Sequence, residues 1–326
     1  MKSIVFIFRK KIKGRYSIEN FYTFLIPYFK KKYTVKVYFT RGWKYLLIDI
    51  LYLRSLNSDI YHITGDINYF SCFLPRNKSI LTIHDIGHYN YVLKNIKKII
   101  YKWLFIVLPI CFSKKVIVIS LFTKQKINRL FDSKKIEVIS PPVTIRTDGR
   151  FKKKEKINKN NIRILFIGTG WYKNLRNLIN AIRYTSWKLN IIGAISSFDQ
   201  IILENYKIQY KNFKNLSLNK VQQAYKKNDI LFFASLHEGF GLPVIEGQAS
   251  CTPVITSNIE PLRTVAGNGA YLANPKSPKD IKKGILKIIN NNKYRKKLIF
   301  RGLKNIKKYH PSLIAEKHLK IYDYFF

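Results

Sequence analysis

Short runs of β-branched and aromatic residues alternate with helix-like patterns along the first part of the chain. A run that stays apolar throughout, such as residues 117–119, is typical of a strand buried on both faces of a parallel sheet. Residues 18–29 predict a helix. The predicted strands are residues 3–8, 33–39, 59–63, 79–83, 116–120 and 135–139.

This alternation is interrupted by a polar, basic segment at residues 149–161, GRFKKKEKINKNN, which predicts a linker. It then resumes, with strands expected at 162–168, 187–192, 229–234 and 253–256, and helices at 174–184, 219–228 and 243–251. Two such blocks predict an α/β protein with two doubly wound domains. We place them at residues 1–148 and 162–308, and expect a C-terminal helix at 309–326 to pack back on the first domain.

The charge of the chain is strongly unbalanced. Its 326 residues include 60 Lys plus Arg and 18 Asp plus Glu, for a net charge of +42. Abundant Lys, Ile, Asn, Tyr and Phe suggest a codon bias, but such a bias would supply acids too. Part of the excess therefore indicates an anionic partner: a membrane surface, nucleic acid or a phosphorylated substrate.

Cysteine usage and hydropathy limit the compartment. The three cysteines form no CxxC pair, which favours a reducing environment over disulfides or structural zinc. Residues 1–8 are too short an apolar run for a signal peptide. The longest apolar stretch, residues 103–112, is about half of a ~20-residue membrane span and favours a core helix. A peripheral position at a membrane stays open.

The segment HEGFGLPVIE, residues 237–246, predicts a binding site for the phosphates of a nucleotide. It places Glu238 in a glycine-rich loop after a strand, and Glu246 on the helix that follows. Pro243 suits the first turn of that helix, where its missing N–H costs nothing. Free N–H groups at a helix start attract an anion. Surface carboxylates that merely stabilise a helix start are the alternative.

A second glycine loop, GTGWYKN at residues 168–174, also follows a strand and opens a helix. A ligand phosphate could lie at this position in an open α/β sheet, with Lys173 as its counter-charge. A tight turn with a solvated lysine explains the same pattern equally well.

In the first domain, His84-Asp85 ends the strand at 79–83, where polar groups would point into a crevice between domains. His84 could instead cap the strand with Asp85 as its partner, and a metal site that adds His88 is the weakest of the interpretations. The loop at 13–17 could present backbone N–H groups and Arg15 to a phosphate, or could be a plain turn.

These residues together resemble glycosyltransferase family 4, the group 1 glycosyl transferases, which are retaining enzymes of the GT-B fold. The similar segments are SILTIHD, SKKVIVISLFTKQKI, KIEVISPPV, GTGWYKNLRNLI and the stretch from Asn228 to Pro275, in the family's order. They include the Glu-x7-Glu pattern as Glu238 and Glu246. The resemblance covers most of residues 59–275. It implies two Rossmann-like domains facing a cleft.

The resemblance also implies roles for single residues. Glu238 would contact the donor sugar, Glu246 the nucleotide ribose, and Lys173 the diphosphate, while His84 would approach the sugar from the first domain. The remaining expected donor contacts are Gly14, Thr169, Gly239, Phe240, Gly241 and Leu242. Thr169 stands near the place where many relatives carry an arginine, and Gly14 stands alone where relatives carry two glycines. No metal or other cofactor is expected, because lysine and helix dipoles would replace it.

The expected function is transfer of a hexosyl unit, mannosyl- or glucosyl-like, from a nucleoside-diphosphate sugar to a glycan or lipid-linked acceptor in cell-surface polysaccharide synthesis, including lipopolysaccharide. The enzyme would be cytoplasmic and peripheral at the inner face of the membrane, docked on anionic lipid. Three alternatives are a nucleotide-sugar epimerase of GT-B fold, a basic nucleic-acid-binding protein, and an inactive relative that serves as a partner subunit. No nucleic-acid-binding motif is found, so nucleic acid is not an expected partner.

Overall fold

The structure is a computed structural model that describes residues 2–11, 17–145, 157–159 and 161–326. The chain divides into two compact units, one formed by Met1–Pro142 with Tyr309–Phe326 and the other by Val143–Lys308. Residues 143–145, which the sequence placed in the first domain, belong to the second unit and are buried. The predicted loop with Gly14 and most of the predicted linker lie outside the described residues.

In the described part of the first unit, six parallel strands form one sheet. They are β1 (Ser3–Phe8), β2 (Thr34–Phe39), β3 (Ile60–Thr64), β4 (Ser79–Ile83), β5 (Lys115–Val118) and β6 (Ile136–Val138). The strand order is β2-β1-β3-β4-β5-β6. The chain runs from β1 outward to β2 and then continues on the other side of β1 at β3. The direction in which the chain winds along the sheet therefore reverses between β1 and β3, and this junction is the switch point of the first unit. The predicted parallel sheet is confirmed, including the buried strand at 116–120.

The two faces of this sheet bury alternate side chains of β1, because neighbouring strand residues point to opposite faces. Val5 and Ile7 lie in one core cluster, while Ile4, Phe6 and Phe8 lie in the other. The helices of this unit that precede residue 143 are α1 (Ser17–Phe29), α2 (Leu46–Ser55), α3 (Gly87–Tyr91), α4 (Asn95–Tyr101), α5 (Leu108–Cys111) and α6 (Leu121–Asn128).

The apolar stretch at 103–112 is helical. A π-helical segment, Lys102–Val107, joins α4 to α5, and Ile106, Val107 and Ile110 are buried in the core. Among the described residues, no helix combines the length and apolarity needed to cross a membrane.

The second unit repeats the doubly wound design. Its described strands are β7 (Arg163–Ile167), β8 (Lys188–Ile192), β9 (Tyr210–Phe213), β10 (Ile230–Phe233), β11 (Val254–Ser257) and β12 (Tyr271–Ala273), all parallel, in the order β12-β11-β10-β7-β8-β9. β7 and β10 are neighbours in the sheet, and the chain winds away from them in opposite directions. This junction is the topological switch point, where the carboxyl ends of parallel strands leave room for a ligand.

Helices cover both faces of the second sheet. They are α7 (Leu175–Ile182), α8 (Ser197–Asn205), α9 (Leu218–Lys227), α10 (Leu242–Ala249), α11 (Leu262–Ala266), α12 (Pro278–Asn290) and α13 (Asn292–Ile306). The predicted strands and helices of this unit are present within one or two residues. β9, β12, α8 and α11 were not predicted, because their short or alternating apolar patterns give a weak signal.

The last helix, α14 (Pro311–Asp323), belongs to the first unit. It packs beside α1, and Ile314, Ile321 and Tyr322 join the core cluster that contains β1. Asp323 accepts hydrogen bonds from Lys32 at 2.7 Å and from the Tyr33 hydroxyl at 2.5 Å. The chain therefore begins and ends in the same unit.

Candidate functional site

The loop between β7 and α7 places Lys173 at the switch point of the second unit. Gly168 and Gly170 have φ angles of +137° and +87°, a region that favours glycine. A Cβ on Gly168 would lie 2.7 Å from Cγ of Lys173, so a larger residue would displace the lysine side chain. Asn174 caps the helix with φ of +71° and donates from Nδ2 to the carbonyls of Ala234 and Pro275.

Lys173 meets Glu238 from the loop that follows β10. Lys173 Nζ donates to Glu238 Oε1 at 2.6 Å, and the two side chains are only 15% and 13% exposed. The ammonium also lies 4.8 Å from the Phe233 ring centroid and 5.2 Å from that of Tyr172. Partial burial strengthens such a pair relative to an ion pair in water. The switch point thus holds a cation and a carboxylate that were separate predictions.

Aromatic and backbone contacts join the two loops. The backbone N–H of Leu236 donates to the Tyr172 carbonyl at 2.8 Å. The His237 ring stacks on Tyr172 with centroids 4.4 Å apart, and its edge faces Trp171 at 5.7 Å. These contacts fix the loop after β7 against the loop after β10. The sequence did not predict the stacking, because no pattern indicates which rings of two distant loops will meet.

Helix α10 begins in the backbone geometry that the sequence predicts. Gly241 is its N-cap with φ of +108°, and Pro243 lies in the first turn. A Cβ at Gly241 would lie 2.3 Å from a methyl carbon of Leu262. A larger residue would therefore be strained both by this contact and by the positive φ angle. The side chain of Phe240 is buried. Thr169 on the facing loop is exposed.

Glu246 lies on α10, where two hydroxyl groups donate hydrogen bonds to its carboxylate. Its Oε2 accepts from the buried Tyr225 hydroxyl at 2.7 Å, and its Oε1 accepts from the Thr144 hydroxyl. Burial raises the pKa of Glu246 above its ordinary value, and these two hydrogen bonds partly oppose that shift. Burial also raises the pKa of Tyr225. A carboxylate has further lone pairs, so Glu246 can still accept from ligand hydroxyls.

Thr144 and Tyr225 were missed by sequence reasoning. They lie 102 and 21 residues from Glu246 along the chain and belong to no recognisable motif. Thr144 stands just after the short strand β6 and before the basic segment, and Tyr225 is in the last turn of α9. The fold alone brings them to the helix that carries Glu246.

His84 lies in the first unit, at the carboxyl end of β4. Its Nε2 is 3.1 Å from the hydroxyl of Thr64, which ends the neighbouring strand β3. Burial lowers the pKa of His84 to about 4, with Asp66 opposing the shift and Arg9 adding to it. The ring is therefore neutral at physiological pH.

Arg9 and Asp66, which the sequence did not single out, lie at the switch point of the first unit. Arg9 follows β1 and donates to Asp66 at 2.7 Å and to Glu19 at 3.2 Å. Asp85 accepts from the Gly87 backbone at 2.7 Å, while His88 lies beside Tyr101. Within the described residues, no group of three His, Cys, Asp or Glu side chains is arranged to hold a metal ion.

Two doubly wound parallel sheets in one chain define a protein of the GT-B fold class, and comparison with known proteins supports this assignment. Residues 148–305 match the family model "Glycosyl transferases group 1". This segment, just under half of the chain, is similar to the group 1 glycosyltransferases.

Two relatives illustrate the similarity in sequence. The chain is 31% identical over 225 residues to the O-antigen chain mannosyltransferase RfbU of Salmonella typhimurium, covering 66% of this chain and 62% of that protein. It is 28% identical over 156 residues to an uncharacterized glycosyltransferase, MJ1178, of Methanocaldococcus jannaschii, covering 46% of this chain and 44% of that one. The matches thus span less than two thirds of either relative.

Solved structures share the fold over nearly the whole chain. A glycosyltransferase from Rickettsia africae ESF-5 matches with a TM-score of 0.74 and 19% identity, covering 99% of this chain and 98% of that one. Anabaena Alr3699/HepE in complex with UDP-glucose matches with a TM-score of 0.79 and 12% identity, covering 99% of this chain and all of that one. At these identities the likeness concerns the fold.

Proposed function

We propose that this protein is a retaining hexosyltransferase that uses a nucleoside-diphosphate sugar. The observation that carries the proposal is the pairing of Lys173 with Glu238 at the switch point of the second unit, next to the start of α10. An anionic diphosphate suits a mobile lysine and a helix N-terminus. The similarity of residues 148–305 to the group 1 glycosyltransferases supports the same reaction class.

Each side chain has a separate role in this proposal. Lys173 leaves its pairing with Glu238 to bind the diphosphate, and the backbone at Gly239 to Leu242 adds N–H donors. Glu238 then contacts the donor sugar. Glu246 accepts hydrogen bonds from the ribose hydroxyls. The Lys173–Glu238 pair keeps both charges compensated until the donor arrives, which avoids an unpaired charge in a partly buried site.

The proposed chemistry proceeds on one face of the sugar. The bond from the anomeric carbon to the diphosphate oxygen breaks, and a bond from the acceptor hydroxyl forms on the same face. The acceptor proton passes to the leaving diphosphate. Lys173 and the start of α10 stabilise the negative charge that develops on that diphosphate, which is the largest kind of catalytic contribution a fixed site can make.

The acceptor and the cellular position belong to the same proposal. RfbU is named as an O-antigen chain mannosyltransferase, and this supports a mannosyl-like donor and a glycan or lipid-linked acceptor in lipopolysaccharide synthesis. We place the enzyme peripherally at the inner face of the membrane, supported by its net charge of +42. We also propose that His84 contacts the donor sugar, and that no metal takes part.

A two-stage experiment tests the function. A panel of nucleoside-diphosphate sugars is first screened for thermal stabilisation, because a ligand that binds the folded state raises its stability by mass action. The best donor is then incubated with hexose-terminated acceptors, and the anomeric configuration of the product is read by NMR. Transfer with retention supports the proposal. Interconversion of the donor without an acceptor would indicate an epimerase, and stabilisation by none of the panel would overturn the proposal.

The role of His84 needs its own variant. His84→Ala is expected to lower turnover while leaving the melting temperature close to that of the wild type. Unchanged turnover would remove His84 from the proposed site.

A further inference from the structure

Helix α2 in the first unit is apolar on both of its sides. Ile50 and Leu53 are buried in the core, while Leu47, Ile48 and Leu51 face outward and are at least half exposed. A surface helix of a globular protein normally turns charged or polar residues outward. An apolar outer side on a surface helix indicates a partner that covers it.

Helix α4 and the segment that follows it present a second exposed apolar stripe. No residue of α4 is buried. Large exposed side chains recur at helical spacing, and they are Ile96, Ile99, Ile100, Trp103 and Leu104; Val92, which precedes the helix, is exposed as well. The stripe is therefore one continuous side of the helix, with nothing in the described part of the unit packed over it.

Aromatic contacts connect α2 with this stripe. Trp43, just before α2, meets Tyr69 edge-on with centroids 4.5 Å apart. Tyr69 in turn lies 5.4 Å from Phe105, which stacks on Tyr101 at the end of α4. We call the outward side chains of residues 43–52 and 92–104 the apolar face.

The charge around the apolar face is mainly positive, although Asp66 and Asp85 lie near Tyr101 at the end of α4. Lys44, Arg54, Lys94 and Lys97 are exposed beside it. The chain has no Asp or Glu from residue 86 to residue 131, and the acid within α2, Asp49, is fully buried, accepting from Tyr38 and the Arg41 backbone. An apolar surface flanked by lysines complements anionic lipid, since lysines meet phosphate head groups while apolar side chains enter the acyl boundary.

The same charge argues against a second copy of this chain as the occupant. A symmetric pair would bring the lysines of one copy against those of the other across the interface. Like charges placed opposite each other weaken such an association. Exposed tryptophan and tyrosine also suit the interfacial region of a bilayer, where one end of the ring is apolar and the other is wet.

We propose that the apolar face docks this protein on the surface of an anionic membrane, with Ile96, Ile99, Trp103 and Leu51 inserted and the flanking lysines on the phosphates. The inference rests on the peripheral membrane position in the proposed function, and it identifies the surface of the protein that contacts the membrane. It does not depend on sugar transfer, because lipid binding can be measured without a donor.

Vesicle flotation of the full chain tests the proposal. The vesicles contain phosphatidylcholine and phosphatidylglycerol in equal parts, with pure phosphatidylcholine as the neutral comparison. Ile96→Ser with Ile99→Ser should lower binding roughly tenfold, because two apolar side chains no longer enter the membrane. The matched control is Ile201→Ser with Phe300→Ser, which removes two similarly exposed apolar side chains from the second unit and should leave binding unchanged.

Two double substitutions of lysine distinguish docking by the apolar face from attraction by the net charge of the whole chain. Lys94→Gln with Lys97→Gln should weaken binding to anionic vesicles several-fold, whereas Lys279→Gln with Lys283→Gln removes the same charge from α12 and should have a smaller effect. Equal losses in the two variants would overturn a local site and leave only a general attraction by the whole chain.

Quenching of tryptophan fluorescence by brominated lipid reports how deeply a tryptophan enters the membrane. The fluorescence of the wild type should be quenched, and Trp43→Phe with Trp103→Phe should lose most of that quenching. Trp171→Phe is the control, because Trp171 in the second unit is 63% exposed against 64% for Trp43. Quenching that disappears with Trp171 instead would overturn the proposal. So would a lipid-free dimer that Ile96→Ser with Ile99→Ser dissociates. Lipid binding without sugar transfer would reject only the enzymatic proposal.

Discussion

Each unit places a cation and a carboxylate at its switch point, but the two pairs differ in how they are held. Arg9 follows β1 and lies between Glu19 and Asp66, with 11% of its side chain exposed. Lys173 follows β7 and, among the described ion pairs, meets one carboxylate, Glu238. The guanidinium is thus fixed by two protein acids, whereas the ammonium can exchange its single partner for a ligand.

Glycines with positive φ angles lie near both pairs. Near Lys173, Gly168, Gly170 and Gly241 have positive φ angles and bring the chain close to the lysine and to the start of α10. Near Arg9, Gly65 has a φ angle of +95° and lies beside the arginine. The comparison teaches that doubly wound topology brings opposite charges together, while the number of protein acids on the cation determines whether it can exchange one of them for a ligand anion.

The largest expected effect is on turnover. Lys173→Ala should lower kcat roughly a hundredfold to a thousandfold, since a group that stabilises leaving-group charge is lost. Its melting temperature should fall, because Glu238 loses its partner in a partly buried site, but the loss of turnover should be far larger than the loss of stability. Lys279→Ala, which removes an exposed lysine from the same unit, serves as the control and should keep full activity. A fully active Lys173→Ala would show that the two pairs do not differ in function.

The pH dependence of stability should differ between the two units, because different titratable groups are buried in each. Burial lowers the pKa of His62 and brings that of His318 to about 4, so both are neutral in the folded first unit. His62 is held by Tyr322 at 2.8 Å and Thr82 at 2.7 Å. As pH falls from the unfolded pKa near 6.5, the unfolded chain takes up protons first, and stability falls.

The loss of stability can be calculated from the lowered pKa of His318. His318 alone should cost the folded state about 3 kcal/mol between pH 6.5 and pH 4. Chemical denaturation at several pH values measures it. His318→Phe should flatten the slope, whereas His88→Phe, at an exposed histidine, should not. An unchanged slope in His318→Phe would exclude His318 as its source.

Glu246 should respond to pH in the opposite sense. Its pKa is raised in the folded state, so the folded second unit binds that proton more tightly, and its stability gains as pH falls towards the unfolded value of 4.5. Glu246→Gln should therefore fold at least as stably as the wild type at pH 7. It should still weaken donor binding about tenfold or more, because the amide accepts fewer ribose hydrogen bonds.

Calorimetric titration with the identified donor measures the effect of Glu246→Gln. Glu204→Gln, at an exposed carboxylate on α8, is the matched control. Wild-type affinity in Glu246→Gln would contradict the ribose role, and a large loss of stability would contradict the raised pKa.

The smallest expected effect concerns Arg9. Arg9→Lys keeps the charge but cannot span both Glu19 and Asp66, so the free energy of unfolding should fall by about 1 kcal/mol. Denaturant unfolding measures the change, with Arg54→Lys as an exposed control. An unchanged free energy of unfolding in Arg9→Lys would show that the second acid does not help to hold the cation.

Prediction from sequence succeeded where a local pattern carried the information. The strand at 79–83, the helix that contains Pro243, and the glycine loop before Lys173 each follow from neighbouring residues. It failed at β9, where Tyr210 to Phe213 alternate between half-buried and exposed positions at the edge of a sheet. An edge strand lacks the continuous apolar run that marks a central one.

The sequence by itself determined the α/β class, the two blocks of alternating strands and helices, and Lys173, Glu238, Glu246 and His84 as candidates. These depend on short-range periodicity and on turn chemistry, which neighbouring residues encode. Only the tertiary structure decided that Lys173 pairs with Glu238 and that Tyr225 and Thr144 hold Glu246. It also left the apolar side of α2 uncovered. Contacts between distant residues depend on strand order and packing, which no local pattern records.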